Sequence, residues 1–205
     1  MHIVGSTLLG FLGRVGGMDI RLAAGLVGLG LFALACGGPL ERGPGGKLPP
    51  YDAHAMELFD DGIEPSAIGF ETGVQIEPSR SAPRADNLLR ERTQVGDAVV
   101  RARVTTVTAK DEDRGRSWQL GLRTEERLAG SGALDADFTL PVDASGPSAG
   151  MLRAFENRLV GTVLVAFVRQ FARAGGDPEL HFHIARDSKD EIDAVRAAVL
   201  LNAVK

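Results

Sequence analysis

From residue 98 onward the apolar positions change period several times, and each change marks an element. Ala98 to Thr108, rich in valine and threonine, predicts a long strand closed by a charged turn from Ala109 to Arg116. The next stretch alternates cleanly, with Trp118, Leu120 and Leu122 on one side and Gln119, Gly121 and Arg123 on the other, so this strand has one apolar and one wet face. A glycine-rich turn at Gly130 and Gly132 leads to a third strand carried by Phe138, Leu140 and Val142, and then to a loop from Ala144 to Gly150. Met151 and Phe155, at helical spacing, predict a short helix to Leu159, ended by Gly161.

Thr162 to Phe171, TVLVAFVRQF, is apolar on both faces and is expected to be the most buried strand. After a turn from Ala172 to Pro178, Glu179 to Ala185 alternates again, with Leu180, Phe182 and Ile184 opposite His181 and His183. The chain closes with a helix whose start is marked by a capping box, Ser188 with Glu191, and whose expected inner stripe is Ile192, Val195 and Val199.

The first part of the chain is less regular. Leu22 to Ala35 carries no ionisable side chain, follows Arg21, and ends in small Ala35 before Cys36. A charged start, an apolar centre and a small-residue end are the zones of a secretory signal. About 14 such residues reach only ~21 Å as a helix, short of the ~30 Å hydrocarbon core, which disfavours a permanent span. Met18 offers a compact start for this signal; a start at Met1 gives a long leader. Gly37 to Pro50, GGPLERGPGGKLPP, has no apolar periodicity and is expected to be a flexible tether spanning about 20 Å on average. Between 51 and 92 the pattern predicts short helices and loops. Asp52 caps a turn through Met56, Leu58 and Phe59 that ends near Gly62, and a second short helix from Pro83 to Arg92 buries Leu88 and Leu89. The expected organisation is therefore a signal over 1–36, a tether over 37–50, short helices and loops over 51–92, and a folded β-rich unit over 93–205.

Ala33, Leu34, Ala35 and Cys36 resemble the lipobox of bacterial lipoproteins. The resemblance implies that the Cys36 thiol is acylated, with palmitate-type chains, and that the peptide is cut just before it. Each buried methylene contributes ~0.8 kcal/mol, so several acyl chains hold a protein firmly where one holds it marginally. The implied location is the bacterial cell envelope, facing the periplasm or at the outer membrane.

Three strands, a short helix, two strands and a closing helix make a mainly β, α+β pattern. A five-stranded OB-like barrel places its short helix between strands 3 and 4 in the same way and here adds a C-terminal helix. Within it VVRARVTTVT, RTEERLAGSG and LVGTVLVAFVR, spread over 98–185, resemble the OB-like netrin or tissue-inhibitor-type modules of secreted proteins, without the cysteines of the animal modules. That resemblance implies a shape and a non-catalytic interaction role; protease inhibition does not carry over.

Composition narrows the chemistry. Of 23 basic and 27 acidic residues, Arg14, Arg21 and Asp19 lie in the first 36, leaving the remainder with a formal charge of −5, which does not draw phosphate backbones, so no nucleic-acid partner is expected. The single cysteine excludes an internal disulfide. His181 and His183, two apart on a strand, leave one face together and could share a metal with a neighbouring carboxylate; the ordinary alternative is the polar half of an alternating strand. No HExxH, CxxC pair or third barrel histidine supports a metal, and His54 lies in the irregular 51–92 segment, so no metal or cofactor is expected. Arg101, Arg103 and Arg123 could form a binding face for a glycan or peptide, although cross-strand pairing with Glu125 explains them more simply. Ser145 and Ser148 lie outside any GxSxG and read as loop serines. Lys110 to Arg116 reads as a solvated hairpin tip, since Asp111, Glu112 and Asp113 lack calcium-loop spacing.

No catalytic residue is expected. The leading expectation is a membrane-anchored, non-catalytic module that contacts another envelope protein. The two alternatives are a glycan- or peptide-binding envelope protein and a metal-assisted hydrolase using His181 and His183. The binding residues themselves are not identified by the sequence.

Overall fold

The computed structural model describes residues 47–69, 86–112, 115–173 and 177–203. The leader with Met18, the signal with Cys36, most of the Gly/Pro tether, and Pro78 and Pro83 lie outside these residues. Among the described residues, no helix is long and apolar enough to cross a membrane.

The chain is mixed α+β. Helix α1 (Ala53–Leu58) precedes a two-residue strand β1 (Gly62–Ile63), a 3-10 turn (Pro65–Ile68) and α2 (Asn87–Val95). Then come β2 (Ala98–Glu112), β3 (Gly115–Ala129), β4 (Asp137–Val142), α3 (Ala149–Leu159), β5 (Val163–Ala172), β6 (Pro178–Arg186) and α4 (Lys189–Ala203). The sheet order is β1-β6-β5-β2-β3-β4.

Two features of the expected five-stranded barrel need correction. The sheet has six strands and is open, with β4 at one edge and β1 at the other. Both differences have one cause. β1 runs parallel to β6, with Gly62 opposite His183 and Ile63 opposite Ile184, and so takes the β6 edge that β4 would need to close a barrel. A two-residue strand is too short to show a period, so the sequence pattern hides it. Its hold is reinforced from α3, where the Ser148 hydroxyl accepts the Ile63 N–H at 2.7 Å.

β5 and the adjoining parts of β2 and β6 are covered on both sides, while β3 and β4 have one exposed face. One face carries Val100, Val104, Trp118, Leu120, Leu122, Leu140, Leu164, Ala166, Val168, Phe182 and Ile184, covered by Leu152 and Leu159 of α3. The opposite face of β2, β5 and β6 carries Val99, Val165, Phe167, Phe171 and Ala185, covered by Leu58 and Phe59, Leu89 of α2, and Ala194 and Val195 of α4. This second layer is why TVLVAFVRQF lacks alternation: from Leu164 to Val168 neither side of β5 meets water. On β3 the alternation does match exposure, since Trp118, Leu120 and Leu122 are buried while Gln119 and Arg123 are exposed.

Side-chain caps start α1 and α4, while α2 runs over Asn87–Val95 from an Asp86 cap and the Ser188 N–H donates to Arg186 O at 3.0 Å. Asp52 accepts the Ala55 N–H at 2.9 Å to cap α1, and Ser188 Oγ accepts the Glu191 N–H at 3.2 Å to start α4. The α4 stripe holds at Val195, which is buried, and at Ile192, which packs against the core, but not at Val199, which is 39% exposed; Ala194 and Ala198 are buried in its place. Small alanines let α4 approach α2 and the sheet closely, and that burial outweighs placing a larger valine inside.

Asp97 joins the two ends of this arrangement. Its backbone pairs with Val168 O, its carboxylate accepts the Gln170 N–H at 2.7 Å, and its carbonyl accepts the Gly132 N–H. Gly130 lies over it at φ 80, where a Cβ would come within 2.3 Å of Asp97 O. Gly130→Ala is therefore expected to destabilise the fold by about 2 kcal/mol or more. Gly150→Ala on α3, whose Cβ would meet nothing within 4 Å, is expected to be neutral or to stabilise by up to about 1 kcal/mol. The shifts in urea midpoint of the two variants should have this contrast.

Candidate functional site

The most chemically dense part of the described structure lies where residues 51–64 cross β6. It contains the sequence-flagged pair, His181 and His183. Both rings leave the same face of β6, opposite Phe182 and Ile184, and that face is covered: each histidine is only 7% exposed. The cover is the segment before β1. Tyr51 stacks on His181 with ring centroids 3.5 Å apart and planes at 13°, and Phe171 meets the same ring edge-on at 5.7 Å.

A buried imidazole needs partners for its nitrogens. Asp61 supplies one at His181 Nδ1, 2.8 Å away, while its other oxygen accepts the Phe182 N–H at 3.0 Å. Asp60 lies 2.8 Å from His183 Nδ1 and also accepts the Gly62 N–H at 3.0 Å. Glu64 approaches His183 Nε2 at 3.4 Å. The backbone makes this possible: Asp61 takes φ 53, a left-handed conformation tolerated by aspartate before glycine, so consecutive carboxylates reach two alternate histidines.

The electrostatics follow from these distances. Burial pulls the His183 pKa down, but the hydrogen bonds to Asp60 and Glu64 outweigh it, and the net shift is upward. Burial pushes the Asp60 carboxyl up, but His183, the Gly62 N–H and the nearby Arg92 charge prevail, and the net shift is downward. Tyr51 is pushed up to about 12 by burial and then by Asp61, Asp60 and Glu179, so it is a neutral stacking partner at ordinary pH. Arg92 is buried on α2 and donates from Nε to Leu58 O at 2.5 Å, placing a cation at the carboxyl end of α1.

This geometry does not gather the histidines around one shared centre. Each Nδ1 faces its own carboxylate, and among the described residues no group of three or more His, Cys, Asp or Glu side chains is arranged to hold a metal ion. His181 Nε2 is buried without a hydrogen-bond partner, and the nearest Glu179 oxygen is 3.8 Å away. The cluster acts as a clamp that fastens residues 51–64 to β6.

The other flagged residues are dispersed. Arg101 makes a bidentate pair with Asp187 at 2.8 Å and also reaches Glu125 at 3.2 Å. Arg103 pairs with Glu125 at 2.6 Å, and Arg123 with Asp137 at 2.8 Å. The arginine face is thus neutralised within the fold. Ser148 is 2% exposed and committed to β1, while Ser145 is exposed in its loop. His54 bonds Glu91 at 2.7 Å, linking α1 to α2. Asp111 lies 3.9 Å from Arg116 across the hairpin, and Asp113 and Cys36 lie outside the described residues.

Sequence reasoning missed Asp60, Asp61, Glu64, Tyr51 and Arg92 as partners of the histidine strand. The one available signal was the run DDGIE, a turn-forming Asp-Gly with three carboxylates, which the pattern assigned to the end of a helix. Comparison with known proteins finds no protein-family model and no curated relative that matches this sequence.

The His183 pair makes stability depend on pH in a defined direction. A raised folded pKa contributes stability that is fully present below the ordinary value of 6.5 and is lost as pH rises through the folded value. The depressed Asp60 contributes above its ordinary value of 3.8 and is lost as pH falls through the folded value. Thermal unfolding is expected to show greatest stability from this pair between those limits and a decline on going from pH 6.5 toward 8. His183→Gln should flatten that decline and cost about 2 kcal/mol at pH 6, by removing the imidazolium hydrogen-bonded to Asp60 and Glu64.

Proposed function

We propose that the chain is a bacterial envelope lipoprotein, held to a membrane through acylated Cys36, whose folded part is a non-catalytic module for binding another envelope protein. The observation that carries this reading is the segment Leu22 to Cys36, a charged start, an uncharged apolar run and a small residue before the chain's one cysteine. A compact α+β unit follows after a run of glycine and proline. Its densest cluster of titratable groups is spent on holding the fold, and its arginine face is paired internally, which supports an interaction role over a reaction.

The strand order supports an OB-like ancestry of shape. The five long strands run β6-β5-β2-β3-β4, with α3 between β4 and β5, which is the order of an OB barrel opened between its third and fifth strands. The free β4 edge holds Pro141, which cannot donate to an added strand, so a partner is expected to engage side chains there and not extend the ladder.

The test is direct. Mass spectrometry of the protein from its native membranes should find an amino terminus at Cys36 carrying acyl chains, and Cys36→Ser should accumulate as the uncut precursor. A whole, unacylated protein in the cell interior would remove the basis for the envelope assignment.

A further inference from the structure

A second feature adjoins the histidine clamp and shares Phe171 with it. A cleft of about 150 Å³ lies between α1, α2 and the end of β5. Its floor is apolar, formed by Ala55, Leu58, Phe59 and Phe171, all less than 9% exposed. Pro49 and Pro50 form one wall, held beside β5 because the Ala172 N–H donates to Pro49 O at 2.8 Å. Val95 of α2 closes the other side. A cleft of about this size accommodates one aromatic ring or a hydrocarbon of some six carbons.

The charges at the rim are unequal in their commitments. Asp52 is engaged as the α1 cap through one carboxylate oxygen. Glu91 is bound to His54 at 2.7 Å, and the His54 pKa is raised by that bond, which favours the charged pair. Arg169 is different. Its guanidinium sits 5.3 Å over the Phe171 ring, and among the described residues no carboxylate pairs with it. Arginine over an aromatic ring keeps its hydrogen-bond donors directed outward, free for a planar anion.

We propose that this cleft binds a compact apolar monocarboxylate, its hydrocarbon body between Phe59, Phe171 and Val95 and its carboxylate on Arg169. Arg169, which no carboxylate among the described residues pairs with, beside a ring-sized apolar hollow matches one negative charge on one small hydrophobic body. A larger ligand would have to leave most of itself in water, and a dianion would meet Asp52 and Glu91.

Isothermal titration of the full chain with 3-phenylpropionate tests the assignment, with 3-phenylpropionamide and the free-acid tripeptide acetyl-Ala-Ala-Phe as comparison ligands. The acid is expected to bind, the amide about ten-fold more weakly because it loses the charge-assisted bond, and the tripeptide at least ten-fold more weakly because its preceding residues do not fit. Arg169→Gln should bring the acid to within two-fold of the amide. Val95→Trp, which fills the cleft from α2 without touching Arg169, should abolish binding of both and decides the question if the arginine variant loses its circular-dichroism spectrum. Equal binding of acid and amide, or binding that survives Val95→Trp, would overturn the proposal. A tripeptide that binds more tightly than the acid would overturn the small-molecule assignment in favour of a chain terminus.

Discussion

Strand β5 is apolar on both faces, and the rest of the molecule is arranged to keep both faces dry. A sheet with one core needs a partner layer on one side only; here Leu164, Ala166 and Val168 point to one core and Val165, Phe167 and Phe171 to another. At ~25 cal/mol per Å² of apolar surface, leaving either row in water would remove a large part of the folding free energy. The short helices before β2 and the closing helix α4 exist, in this sense, to complete the second layer. Their own patterns are weak because each covers only part of it, and α4 uses alanines where close approach to α2 matters more than side-chain size.

The second layer creates a polar difficulty that shapes the neighbouring strand. Covering β5 also covers the adjoining face of β6, where the alternation places His181 and His183. A buried imidazole without partners is costly, so the covering segment must bring hydrogen-bonding groups with it. Asp60, Asp61 and Glu64 are those groups, and their placement requires the left-handed turn at Asp61 and the short parallel pairing of β1. The same pairing takes the free edge of β6 and leaves the sheet open. Burial of two histidines, the presence of a sixth strand and the failure of the barrel to close are thus one structural event.

This has a consequence for how the surface divides between structure and interaction. Residues that resemble chemistry in the linear sequence, the histidine pair and the arginines of β2 and β3, are consumed by internal pairing. Arg169 lies toward the other end of β5, opposite His181 on β6, where the cover over the strand includes Pro49 and Pro50. There a cation is left over an aromatic ring beside an apolar hollow.

The order and type of the elements from residue 98 to 203 are legible in the sequence, because their apolar periods are long enough to register: β3 shows its wet face in Gln119 and Arg123, β5 its double burial, and Ser188 the start of α4. The hairpin tip is not: the charged run Ala109 to Arg116 predicts a turn, whereas β2 runs on to Glu112 and β3 begins at Gly115, because a solvated pair of strands needs no apolar period. It also carried the pairing of Arg103 with Glu125, which cross-strand charge made the simpler reading. Only the tertiary structure decided what covers what. Two residues of β1 carry no period, Asp60 and Asp61 meet β6 across some 120 positions of chain, and Arg169 differs from the other arginines only in what surrounds it. Local pattern reports a residue's preference for a face; whether that face meets water, a helix or a carboxylate is settled by segments far away in the chain.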